Sequence, residues 1–68
     1  MSVDNKLKAG NFVLIRRGTE AFGEGEIKFG GNVVGLIQKV EGKYAKVNVA
    51  FQNQDLTLTY RLADLHKY

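Results

Sequence analysis

The stretch GLIQKVEGKYAKVNVAF, residues 35–51, restricts the possible folds more than any other part of the chain. Its second arm alternates without a break, with Ala45, Val47, Val49 and Phe51 on one side and Tyr44, Lys46, Asn48 and Ala50 on the other. Successive side chains of a strand point to opposite faces, so this pattern describes a strand with one face in a core. The tight turn Glu41-Gly42-Lys43 joins it to a preceding strand over residues 33–40, making an antiparallel hairpin. In that first arm the alternation slips around Gly35, which predicts a bulge or a close backbone approach.

Three more segments carry structural signals. Gly10-Asn11 reads as a turn into a strand in which Val13 and Ile15 share one face and Phe12, Leu14 and Arg16 the other. Gln52-Asn53-Gln54-Asp55 is a polar turn, after which Leu56, Leu58 and Tyr60 oppose Thr57, Thr59 and Arg61. Near the C-terminus Leu62 and Leu65 stand three apart, which suits one turn of helix or 3-10 helix plugging the end of the fold. No segment sustains helical periodicity. Residues 18–32 hold five of the eight glycines, a density that disfavours a helix and predicts a long loop. Phe22, Ile27 and Phe29 are its candidate anchors, with a short hairpin expected across Glu24 to Lys28. The expectation is an all-β chain, a single five-stranded antiparallel barrel with a short 3-10 turn near the C-terminus. Residues 1–6 read as a flexible tail and 7–68 as the barrel.

With 68 residues the chain makes one domain, burying about 60% of its unfolded surface. There is no cysteine and only one histidine, His66, so disulfides and thiolate or imidazole metal sites are excluded. The carboxylates are scattered, and no metal or other cofactor is expected. The longest apolar run is Phe12-Val13-Leu14-Ile15, far short of the ~20 residues that cross a bilayer. MSVDNKLKAG lacks the apolar core of a signal peptide, so a cytoplasmic location with no membrane partner is expected.

The first strand, Gly10-Asn11-Phe12-Val13-Leu14-Ile15 with Gly18, resembles the GDxVxVxxG pattern of SH3-like barrels, including KOW and Tudor-like modules. Gly35-Leu36-Ile37-Gln38-Lys39-Val40 is similar to the GxVxxV that opens the KOW hairpin. Tyr60-Arg61-Leu62-Ala63-Asp64-Leu65 looks like the turn into the fifth strand. A narrower resemblance, over Gly35 to Leu65, is to the SH3-like subunit S of the photosynthetic NAD(P)H-dehydrogenase-like complex, which helps dock ferredoxin. Gly35-Leu36, Gln38, Val40, Val49, Phe51, Asn53, Thr59 and Arg61-Leu62 carry it, while Gly30-Gly31-Asn32-Val33-Val34 replaces that family's aromatic-rich stretch. These resemblances imply an SH3-like barrel that binds a partner.

Catalysis needs cooperating polar groups fixed in a pocket. His66 lies beside Lys67 near the chain end, and the only serine is Ser2. Glu20, Glu24 and Glu26 sit in a glycine-rich loop, a poor place to fix two carboxylates. The glycines open no phosphate-binding motif, since no Gly-Lys-Ser/Thr follows them. Thr57-Leu58-Thr59-Tyr60 lacks the glutamine in the binding strand of trimethoprim-resistant dihydrofolate reductase, another SH3-like barrel. The chain is therefore expected not to be an enzyme.

What remains is surface. The net charge is +3. Arg16 and Arg17 end the first strand, Lys39, Lys43 and Lys46 decorate the hairpin, and Arg61 follows the last alternating run. Tyr44, with Phe22 or Phe29 from the loop, supplies rings for stacking, while Tyr60 is expected to face inward. Aromatic rings flanked by Lys and Arg suit nucleic acid, rings meeting bases and cations meeting phosphates. RNA or DNA is the first expected partner and an acidic protein surface the alternative.

Overall fold

The computed structural model describes residues 7–22 and 28–68. The alternation of the central hairpin becomes two long strands, β2 (Val33–Glu41) and β3 (Tyr44–Phe51). On β3, Ala45, Val47 and Val49 are buried, while Tyr44 and Lys46 face outward. Only Gly42 and Lys43 separate the strands, and Gly42 takes a positive φ of 60°, a conformation that favours glycine. The other strands are β1 (Phe12–Ile15), β4 (Gln54–Arg61) and β5 (Leu65–Lys67), with a 3-10 turn over Leu62–Asp64. All pairings are antiparallel, in the order β4-β3-β2-β1-β5. This order is compatible with an SH3-like small β fold.

The two edge strands of the sheet are consecutive in the chain, joined only by the three-residue 3-10 turn. So short a link makes the sheet curl until its edges approach each other, giving a barrel-like shape around one core. Val13, Ile15, Ile37, Val47, Val49, Leu58 and Tyr60 are almost wholly buried there, joined by Ala21, Phe29, Ala45 and Leu65. The inward orientation expected of Tyr60 is observed. Of the residues that alternation turns inward with Val47 and Val49 on β3, Ala45 is in this core and Phe51 is not. It ends β3 at 36% exposure, where only one side of its ring meets Phe29, at 4.9 Å between centroids.

β2 departs from period two in two distinct ways. At Gly35 the barrel wall closes in. A β-carbon there would collide with Val47 Cγ1 and stand 3.2 Å from both Asn48 O and Val49 Cγ2. The register shift itself lies further on, between Ile37 and Lys39, where Gln38 is the extra residue of a bulge. Two polar residues separate Ile37 from Val40, and a regular strand would turn Lys39 inward. The bulge leaves both polar residues exposed and returns Val40 to the inner face.

The described parts of the 18–32 loop are tied down by backbone hydrogen bonds. Gly18 N–H donates to Phe29 O (3.2 Å), Phe22 N–H to Thr59 O on β4 (2.7 Å), and Arg17 N–H to Asn32 Oδ1 (2.8 Å). Ala21 and Phe29 are buried, so both ends of the loop contribute to the core. The tail at 1–6, Ile27, Glu24, Glu26 and most of the hairpin expected across Glu24 to Lys28 lie outside the described residues.

Candidate functional site

The bridge from Phe22 to Thr59 pairs the loop with the free edge of β4, whose Thr59 and Arg61 belong to the outer face. On that face the register pairs Tyr44 with Arg61 and Lys46 with Thr59. Phe22 therefore lands beside both Tyr44 and Arg61. The Phe22 and Tyr44 rings are 5.2 Å apart at a 50° tilt, and the Arg61 guanidinium lies 4.7 Å from the centre of the Phe22 ring. The ring pair and the cation–π contact each contribute on the order of 0.5–1 kcal/mol at a partly exposed site. Together they favour this arrangement of the three side chains. Tyr44 keeps 40% of its surface exposed.

Next to Tyr44 opens a cleft of about 460 Å³, lined by Gly42, Lys43, Tyr44, Arg61, Leu62 and Ala63. One wall is the β2–β3 turn with the first residue of β3, and the other is the end of β4 with the 3-10 turn. Leu62 N–H donates to Lys43 O at 2.9 Å and holds the walls together. Leu62 and Ala63 give the cleft apolar lining, and Lys43 and Arg61 give it positive charge.

Lys39 stands opposite Lys46 in the β2–β3 ladder, a like-charge pair that disfavours itself. Glu41 relieves it, its Oε2 lying 2.9 Å from Lys39 Nζ. The hydrogen bond from Lys39, then its charge, and more weakly the charge of Lys46, hold the Glu41 carboxyl below its ordinary range. Both members of this ion pair are well exposed, so it adds little stability. Among the described residues no ion pair involves Lys43, Lys46, Arg16, Arg17 or Arg61.

The structure thus gathers Phe22, Lys43, Tyr44 and Arg61, with Lys46 and Lys39 alongside on the same face. It does not bring in the other expected site residues. Phe29 is 5% exposed and packs against Phe51, so its ring belongs to the core and offers no stacking surface. Arg16 and Arg17 follow Ile15, which pairs with Val33 on one side and with Leu65, just past the 3-10 turn, on the other, and neither arginine lines the cleft.

The sequence reading missed the cleft, because Leu62 and Ala63 carry no binding signal and matter only where the 3-10 turn meets the hairpin. A second exposed region lies on the outer face of β1 and β2. Phe12 (55% exposed) pairs with Leu36, and Val34 pairs with Leu14. Tyr68 N–H donates to Phe12 O, bringing the terminal residue beside them. Among the described residues no group of three or more His, Cys, Asp or Glu is placed to hold a metal ion, and no helix is long and apolar enough to cross a membrane. No known family model matches this chain, and neither does any curated protein or solved structure.

Proposed function

We propose that this protein is a non-catalytic binding module that docks nucleic acid in a KOW-like manner, in the setting of transcription or translation. The observation that carries the reading is the ordered group Phe22–Tyr44–Arg61 beside a cleft edged by Lys43. Exposed rings take bases, and flanking cations take phosphates. Lys39, Lys43, Lys46 and Arg61 are the phosphate contacts of this reading, and Arg16 and Arg17 would meet a longer strand further along. The test is a salt titration of binding to mixed RNA and DNA. Each phosphate neutralised on duplex DNA steepens the fall of log affinity with log salt by about 0.9, and by about 0.7 on a single strand. Absence of any complex at low salt refutes the reading.

A second reading is favoured by the exposed apolar side chains Phe12, Val34 and Tyr68. On it the chain is a small accessory subunit that binds an acidic protein surface, as the resemblance to subunit S implies. Its affinity would depend weakly on salt and fall sharply on truncation of one aromatic anchor, Phe12 being the one to test.

A further inference from the structure

We infer that the cleft between the β2–β3 turn and the 3-10 turn receives one unpaired base, so that the module selects single-stranded RNA over duplex. This rests on the nucleic-acid reading above and narrows it to a strand state and a point of contact.

The two rings differ in how much of their surface is free. Phe22 has Arg61 over its face and Tyr44 against it, so it is a buttress and not a platform. Tyr44 meets Phe22 yet stays 40% exposed, and it lines the cleft. A base stacked on Tyr44 would enter the space bounded by Lys43, Arg61, Leu62 and Ala63. At about 460 Å³ the cleft falls in the ~300–1,000 Å³ range of small-ligand sites, and it has an apolar lining with cations at hand.

Its walls are set before any ligand arrives. The Tyr44–Arg61 ladder pair and the Leu62 N–H to Lys43 O bond fix them relative to each other, so little ordering is needed on binding. Gly42, at the cleft's edge, borders open space, since a β-carbon there would meet nothing within 4 Å.

Charge names the rest of the ligand. Lys43, Lys46 and Arg61 surround the ring, while the neighbouring carboxylate of Glu41 is already taken by Lys39. Asp64, which follows Ala63, and Glu20, two residues before Phe22, are the other described acidic side chains close in sequence. An aromatic slot ringed by cations suits a base carried on a phosphate backbone. A base within a duplex has both faces covered by its neighbours and its edge paired, so it cannot enter a slot of this kind unless it swings out. RNA is the source chosen, because unpaired bases are its ordinary state in loops and ends.

The experiment compares the full chain on a short mixed-sequence RNA, on the same strand annealed to its complement, and on the matching single-stranded DNA. A 2-aminopurine in the single strands reports stacking. The single-stranded RNA is expected to bind tightest, with quenching of the reporter. Tyr44→Ala should weaken that binding about ten- to a hundredfold and abolish the quenching. Tyr44→Phe, which keeps the ring, should retain both, and a cooperative unfolding transition of Tyr44→Ala shows that the loss in the alanine variant is not misfolding. Equal affinity for single strand and duplex, both indifferent to Tyr44→Ala, overturns the inference and leaves the nucleic-acid reading intact. Tighter binding of the DNA strand overturns the choice of RNA. Failure of every nucleic acid to bind at low salt overturns the nucleic-acid reading itself, and this inference with it.

Discussion

Substituting Gly35 by alanine tests whether close approach, and not backbone freedom, fixes that residue. The added methyl would collide with Val47 Cγ1 and lie 3.2 Å from Asn48 O and Val49 Cγ2. Neither valine has room to yield, since both are fully buried and β-branched side chains are stiff. Overpacking of a filled core costs about 1–3 kcal/mol. Replacing glycine by alanine inside a strand returns about 0.5–1 kcal/mol through reduced chain entropy. The net expectation is a loss of about 1–2 kcal/mol. At about 2.1 cal/mol/K of unfolding entropy per residue, a 68-residue chain loses about 7 °C of Tm for each kcal/mol, so Tm should fall by about 7–14 °C. Thermal and urea unfolding followed by circular dichroism measure this. Val47→Ala supplies the control. It opens space where the new methyl points, so the double variant should be about 1 kcal/mol more stable than the sum of the single effects. A Gly35→Ala protein as stable as the parent, or strict additivity with Val47→Ala, refutes the account.

Two further substitutions probe the hairpin ends and the core. Tyr60 is fully buried and its hydroxyl has no hydrogen-bond partner among the described residues, so Tyr60→Phe should stabilise the protein by about 1 kcal/mol in urea unfolding at neutral pH. Burial raises the Tyr60 pKa above its ordinary value of 10.0. Below that value both folded and unfolded chains keep the proton; above it the unfolded chain releases it first, so stability falls as pH rises. Tyr60→Phe should lessen that alkaline decline, and an unchanged decline counts against the burial of the hydroxyl. The two-residue turn Gln52–Asn53 holds both residues at positive φ, 54° and 65°. Converting it to Asn-Gly, the pair that such turns prefer, should add about 1 kcal/mol without altering ligand binding, because this turn joins the end of β3 opposite to Tyr44. Unfolding midpoints and the RNA titration check the two halves of that statement.

The candidate site was only partly legible in the sequence. Lys43, Tyr44, Lys46 and Arg61 are marked by charge and by outward alternation, properties that each residue carries alone. Phe29 and Phe22 have the same chemistry and the same glycine-rich setting, yet one ring is in the core and the other props Tyr44. What separates them is a contact distant in sequence, the Phe22 to Thr59 bridge, which no local pattern encodes. Arg16 and Arg17 read as part of the same basic face, yet the register sets them just past the pairs of Ile15 with Val33 and Leu65, outside the cleft lining.

Strand positions, the inward turn of Tyr60, the tight passage at Gly35 and the closing 3-10 turn follow from the order of apolar and polar residues. Period-two alternation must resolve into an inside and an outside wherever a strand pairs. Which outward residues become neighbours depends instead on register, on the bulge at Gln38, and on the β3–β4 ladder that sets the end of β4 beside the hairpin turn. Those are properties of strands pairing with one another, so the cleft beside Tyr44 exists only once β3 and β4 have paired and the 3-10 turn has docked on Lys43.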